Sequence, residues 1–367
     1  MFANCPPISN LETKTKDQNN YKDINKKPIF DAEIRQMDFT FRTYEKLLQT
    51  LLEQGFSFIT FTQYIEAKSS NLKSSNLQIL KSSNLIILRH DVEARYGNAL
   101  RMAQIEHKLN IRGSYYFRIF NKKGNEAVIR QIAALGHELG YHYDDLTASK
   151  GDHEKALLRF QKNLNYLRQF AHVTTITMEG APLSRHDNRN LWSPIINKST
   201  NQQINTFYPE QSRRETEQTP HTKHQTPKPY NLFGILAEPY FDLDFNQMFY
   251  LTDTGRRWDG HLYNVRDKAT KENPVTNPYF LQLRYHTTFD LIKAIKSSTP
   301  KVFGANPQIL KSSIFEFSNF ESFPNQAMLN FHPQRWNDSP IPWLKEFIWQ
   351  NLKNQLKRLL IITRSKN

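Results

Sequence analysis

LIILRHDVE, residues Leu85–Glu93, decides how this chain is read. Four aliphatic residues in succession make a short buried strand, and they run directly into Arg89, His90, Asp91 and Glu93. The same change from apolar run to ionisable cluster recurs along the chain. SYYF (114–117) is followed by Arg118, ELGY (138–141) by His142, Asp144 and Asp145, and VTTITM (173–178) by Glu179. MFYL (248–251) leads to Asp253, Arg256, Arg257, Trp258 and Asp259, and MLNF (328–331) to His332, Arg335 and Trp336. One polar strand end says little, because loops are polar anyway. Repetition over six strands is the signal that their ends meet.

Between these runs the apolar spacing changes to that of a helix. Tyr44, Leu47, Leu48, Leu51 and Leu52 fall on one helical face, as do Val128, Ile132 and Leu135. Leu157, Phe160, Leu164 and Leu167 do so again, and so do Leu344, Ile348, Leu352 and Leu356. Strands alternating with amphipathic helices imply a parallel sheet covered by helices. Six or more such units predict an α/β fold of the irregular (β/α) barrel kind, with an open doubly wound sheet as the alternative. In a barrel the loops after the strands converge on one mouth, so these ionisable clusters mark the candidate site.

Polar tracts interrupt this pattern. KSSNL occurs three times (68–72, 73–77 and 81–85), and QILKSS at 78–83 returns at 308–313. The period is too short for a stackable repeat, so these read as surface insertions. Asn197 to Tyr230 has one aliphatic residue, Ile204, and too little apolar surface to offset the entropy of ordering. The expected organisation is an N-terminal extension over 1–37 and a barrel over 38–367, with insertions near 66–84, 197–231 and 296–316.

The 367 residues carry 49 Lys plus Arg against 35 Asp plus Glu, a net charge of +14. With only 23% charged residues, that excess reflects scarce acids rather than packed bases, so a nucleic-acid partner is not expected from it. Arg213, Arg214, Lys223, Lys228 and the basic stretch Lys353 to Lys366 read as solvated charge. A single cysteine, Cys5, rules out an intrachain disulfide and a thiolate zinc cluster, so His, Asp and Glu must supply any metal site. The first 30 residues contain no apolar run of secretory type, and no stretch approaches the length of a membrane span. A soluble, cytoplasmic protein is expected.

Asp91 and Glu93 are two apart at a strand end, so both carboxylates point the same way, suiting one as metal ligand and the other as general base, or pairing with Arg89. His142 offers an imidazole, Glu179 a further oxygen, and His332 a general acid from the last strand.

These stretches resemble the polysaccharide deacetylase family of carbohydrate esterases, over roughly 85–180 and more loosely over 232–340. The carrying residues are LRHDVEARYGNALRMAQIEHKLNIRGSYYFR (Leu88–Arg118), GHELGYHYDDL (Gly136–Leu146) and LNFHP (Leu329–Pro333). The resemblance implies a distorted (β/α) barrel that holds a divalent metal, usually zinc, and removes an N-acetyl group from a sugar. It implies Asp91 as general base, Glu93 and His142 as metal ligands, and His332 as the acid that protonates the departing amine. The family's second motif carries another His where this chain has Leu146. Its Arg-x-Pro motif is replaced by MEGAPLSRHDNR (Met178–Arg189), in which Glu179 is the candidate substitute ligand. Arg118, Asp253, Arg257, Trp258, Arg335 and Trp336 are the candidate carbohydrate contacts. A barrel that binds a glycan or cell-envelope intermediate without hydrolysing it is the alternative.

Overall fold

The computed structural model describes residues 37–69, 84–119, 125–182, 184–193, 195–196, 203–204, 228–259, 274–297 and 322–364. Met1–Met37 and Asp38–Asn367 separate into two units, and every helix and strand among the described residues belongs to the second. The repeats within 70–83, the tract 205–227, the segment 298–321 and the extension 1–36 lie outside the described residues.

The chain runs α1 (Phe41–Glu53), β1 (Ser57–Ile59), α2 (Phe61–Ser69), β2 (Leu85–Val92), α3 (Tyr96–Lys108), β3 (Ser114–Phe117) and α4 (Glu126–Ala134). It continues through β4 (Glu138–Tyr143), α5 (Asp145–Ala148), α6 (His153–Leu167), β5 (Ile176–Met178) and the ribbon strands β6 (Ile195–Ile196) and β7 (Gln203–Ile204). Last come α7 (Pro239–Asp242), β8 (Phe249–Thr252), α8 (Pro278–Gln282), α9 (Thr288–Ser297), β9 (Gln326–Phe331) and α10 (Pro340–Arg364).

β2 is buried at every position, so it has neighbours on both edges and packed layers on both faces. Along one edge it pairs with β9, from Leu85 opposite Gln326 to His90 opposite Phe331. Its other edge is shared: β1 takes Leu85–Ile87 and β3 takes Arg89–Val92. All pairings in this sheet are parallel, in the order β5-β4-β3-β2-β9-β8. On one side of β2 the neighbours follow the chain forward, and on the other they return from its end. The sheet curls into a half-barrel, the arrangement of a partial (β/α) barrel rather than of a flat doubly wound sheet. A parallel bridge between Thr175 and Ala237 extends the wall beyond β5.

Side-chain alternation then sorts the core. Ile86 and Leu88 of β2, Leu251 of β8 and Leu329 of β9 face outward into one buried cluster with Tyr44, Leu47, Leu48 and Leu51 of α1 and Leu291 and Ile295 of α9. Each such aliphatic side chain contributes about 1.5–3 kcal/mol by leaving water. Thr40 caps α1 by accepting the Thr43 N–H at 3.1 Å. On the outward face, His90 lies 2.9 Å from Glu106 of α3, whose Oε1 also accepts the Tyr44 and Tyr115 hydroxyls at 2.5 and 2.6 Å.

Inward-facing positions are apolar where the strands begin, at Ile59, Leu85, Ile87 and Met328, and turn polar toward their ends. Arg89, Asp91 and Asn330 line the concave side with Tyr116, Tyr250 and His142. Gly140 is required here, because a Cβ would sit 2.2 Å from the Tyr116 ring, which lies across it to reach Thr175 Oγ1 at 3.1 Å. Strands therefore extend past their apolar runs: LIIL continues through Val92 and ELGY through Tyr143.

Glu238 fastens the open edge. Its two carboxyl oxygens accept the N–H groups of Met178 (3.1 Å) and Tyr240 (2.6 Å), tying β5 to α7. Burial pushes this carboxyl up to about 8, aided by Asp242 and opposed by Arg89. The unfolded chain holds this proton only below about 4.3, so folding takes up a proton between there and about 8. Stability from this group is complete below the lower value and is lost as pH rises through the upper one. Thermal unfolding followed by circular dichroism from pH 5 to 8 should show a steeper decline for the wild type than for Glu238→Gln; equal slopes would refute the assignment.

Candidate metal centre

Three strand ends deliver the central group. Glu93 follows β2, His142 lies in β4 and Glu179 follows β5, and one donor atom from each lies within 4.8 Å of the other two. Two donors that each stand about 2.1 Å from one ion are at most about 4.2 Å apart, so no more than a small side-chain adjustment closes the set. These residues could hold a metal ion. An imidazole with two carboxylates suits several divalent ions, so the donors do not single out zinc.

The second contacts orient the donors. His142 Nδ1 stands 3.1 Å from the Thr177 carbonyl, which can only accept, so Nδ1 carries the proton and Nε2 faces Glu179 Oε2 at 3.3 Å. Glu179 Oε1 accepts the Ala181 N–H at 2.9 Å, and Arg118 stands 3.4 Å from Oε2. Burial disfavours a charged His142, yet Asp91, Glu179 and Glu93 outweigh it and push its pKa up to about 9. Burial and the neighbouring Glu179 push Glu93 up. Glu179 moves the other way, because His142, Arg118 and the Ala181 N–H overcome its own burial. Two carboxylates sharing one buried site separate in this manner, and negative charge that draws a proton to His142 also favours a cation.

Beside this group sits a second, built around His332. Its Nδ1 is 2.6 Å from Asp253 Oδ1, and its Nε2 is 3.5 Å from Glu93 and 4.0 Å from Asp91. Asp253 also accepts the His332 backbone N–H at 3.0 Å, Arg335 Nη1 at 2.8 Å and the Trp336 indole N–H at 2.6 Å. Its carboxyl stays below the usual range: burial opposes ionisation, and His332 and Arg335 prevail. Asp91 receives both Arg89 Nε (2.9 Å) and Nη2 (2.8 Å), with Asn330 Nδ2 at 2.9 Å. Despite burial it is also held low, by Arg89, His142 and His332.

A cavity of about 780 Å³ opens onto the group, lined by Glu93, Glu179, Arg118 and Arg335 among others. The expected carbohydrate contacts divide. Arg118 and Arg335 reach this cavity, although each is also engaged by acids. Asp253 is fully buried behind His332 and positions it instead of meeting a ligand. Trp258 and Trp336 are fully buried among Phe331, Tyr44 and Phe39, so neither presents a ring face to a sugar. Arg257 is tied to Asp259 and is not part of the cavity lining. Leu146 is buried in the core and offers no donor. Trp349 and Lys353 line the cavity from α10, and Lys150 and Arg185 from the loops after α5 and β5. No spacing in the sequence singles out Trp349, because the neighbouring stripe of Leu344, Ile348 and Leu352 is exposed as well.

Comparison of the chain with family profiles, with curated proteins and with solved structures found no match.

If these residues form one metal centre, His142→Ala and Glu179→Gln each lower affinity for zinc or manganese by at least about tenfold, the scale of losing even an outer partner of a ligand. Calorimetric titration of the chelator-treated chain reads this directly. Unchanged affinity in both variants would remove the centre.

Proposed function

We propose that this protein is a metal-dependent hydrolase that removes an N-acetyl group from a sugar or a sugar-containing precursor. The observation that carries the reading is the meeting of Glu93, His142 and Glu179 at neighbouring parallel strand ends, with the His332–Asp253 pair facing Glu93 across 3.5 Å. The resemblance in sequence to the deacetylases supplies the choice of bond and substrate.

A divalent ion bound there, with zinc as the expected ion, would polarise the amide carbonyl and make water more acidic. The protein's own groups account for the proton traffic. Asp91, kept ionised by Arg89 and fixed in direction by Asn330, takes a proton from the attacking water. His332 has its Nδ1–H committed to Asp253, so Nε2 is the atom that protonates the departing amine nitrogen. The C–N bond breaks, giving acetate and the free amino sugar, with water supplying the added oxygen and hydrogens. Asp253 orients the His332 ring through Nδ1, and its own position is set by Trp336 and Arg335. Arg118 faces Glu179 and Asp144, so it braces the metal-binding carboxylate and closes the cavity wall.

One observation favours the alternative of a glycan-binding barrel without hydrolysis: Leu146 provides no ligand, and Arg118 sits beside Glu179 where a cation would compete with it. Acetate release separates the two. The full chain, stripped and reloaded with zinc or manganese, is expected to release acetate from N-acetylglucosamine oligomers. Asp91→Asn and His332→Ala should each slow it by about 10²- to 10⁴-fold with metal content unchanged. Stoichiometric metal with no acetate would favour the binding protein, and undiminished turnover in either variant would overturn that residue's role.

A further inference from the structure

The cavity has a charge pattern that neither metal binding nor amide hydrolysis requires. Among its lining residues, Arg118, Lys150, Arg185, Arg335 and Lys353 are basic, whereas Glu93 and Glu179 are acidic. Arg118 and Arg335 are taken up by Asp144, Glu179 and Asp253. The other three have no ion-pair partner among the described residues. They come from separate elements: Lys150 from the turn after α5, Arg185 from the loop after β5 and Lys353 from α10. Lys150 and Arg185 are exposed, and Lys353 is half-buried with its ammonium 5.1 Å from the centre of the Trp349 ring.

We infer that this cavity binds a substrate bearing an anionic oxygen group, a carboxylate or a phosphate, and that Lys150, Arg185 and Lys353 receive that group at the rim. The inference rests on the hydrolase reading only for which bond is cut; the binding preference stands apart from it. Like charges gathered around one concavity repel one another, and an anion relieves the repulsion while desolvating little. Lys353 shows the crowding, since burial and then Arg335 pull its pKa below the ordinary lysine range. An arginine beside two lysines matches the several acceptor oxygens of a carboxylate or phosphate. Trp349, 52% exposed at the same rim, gives an apolar wall for the uncharged part of the ligand. The acidic floor and basic rim thus sort an acylated sugar end to end: the amide meets Glu93 and Glu179, and the anionic group stays outward.

The test is equilibrium binding by calorimetry to the full chain carrying His332→Ala, which suppresses turnover. The probes are neutral N-acetylglucosamine, its 6-phosphate, and N-acetylmuramic acid as the carboxylate. At about 50 mM salt at least one anionic probe is expected to bind about tenfold or more tightly than the neutral one, with the ratio shrinking at about 300 mM salt. Whichever anion gains more identifies the group the rim accepts. Adding Lys150→Gln, Arg185→Gln and Lys353→Gln together should bring the ratio within about twofold without lowering zinc affinity. Equal affinities for all three probes, absence of binding by all three, or a preference that survives the triple substitution would each overturn the inference. Failure of the hydrolase reading would show instead as absent acetate release with the anionic preference intact.

Discussion

Everything at the mouth of this half-barrel depends on one ion pair inside it. Arg89 and Asp91 are alternate residues of β2, so their side chains emerge on the same concave face and close a two-point contact of 2.9 and 2.8 Å. Both are almost wholly removed from water, which costs several kcal/mol per ion unless partners compensate. The compensation is local and partial: Asn330 from β9 donates to Asp91, and the Arg89 guanidinium lies 5.2 Å from the Tyr240 ring centre, while Arg89 Nη1 has no hydrogen-bond partner among the described residues. The same face of β2 meets an apolar core at Leu85 and Ile87 and a polar one at Arg89 and Asp91. Beside it the neighbouring strands present Tyr116, Asn330 and Tyr250 inward, so the interior is polar toward the mouth, while Ile59, Ile87 and Met328 keep it apolar at the other end.

That change of character along each strand explains which parts of the architecture could be read from the chain. Apolar runs with helical or strand spacing mark α1, α4 and α6 and six strands of the half-barrel, because the outward packing of Leu88, Leu251 or Leu329 obeys ordinary burial, whereas α10 is helical but leaves its stripe of Leu344, Ile348 and Leu352 exposed and buries Glu346 and Gln350. Boundaries go astray where the inward faces are polar: the apolar runs put Arg89, Asp91 and His142 beyond strand ends, but these residues belong to β2 and β4. β1 leaves no trace in the spacing, since three residues pairing with half of one edge of β2 give no periodicity to detect. For a related reason α3 is obscured, its buried face carrying Glu106 toward His90 where a hydrophobic residue would normally stand.

The site was legible to a similar degree. Glu93, His142 and Glu179 could be grouped because each follows or ends a strand, and parallel topology brings such residues to one end of the sheet. Roles that depend on which side of a loop faces the mouth were not legible. Trp258 and Trp336 stand six and five residues past β8 and β9, in the same loops as Asp253 and His332, yet they turn into the outer core, where Trp336 uses its indole N–H to hold Asp253. The aromatic ring that reaches the cavity is Trp349, well past the last strand, on a helix whose contacts only folding determines.

The pairing of charges that are buried, or half-buried as Glu93 is, also indicates where a cation belongs. Asp91 has Arg89, Asp144 has Arg118 and Arg159, Asp145 has Arg159, and Asp253 has Arg335. Glu179 has Arg118. Glu93 alone in this group lacks an arginine or lysine within ion-pairing distance among the described residues; the Gln334 amide at 3.1 Å and His332 at 3.5 Å are its nearest polar partners. A carboxylate so placed is destabilised as an anion, and burial together with Glu179 raises its pKa accordingly. Supplying an arginine there would settle the charge and fill the cavity floor. A small ion settles the same charge and leaves the floor open to a ligand, so the deficit at Glu93 is the electrostatic counterpart of the space beside it.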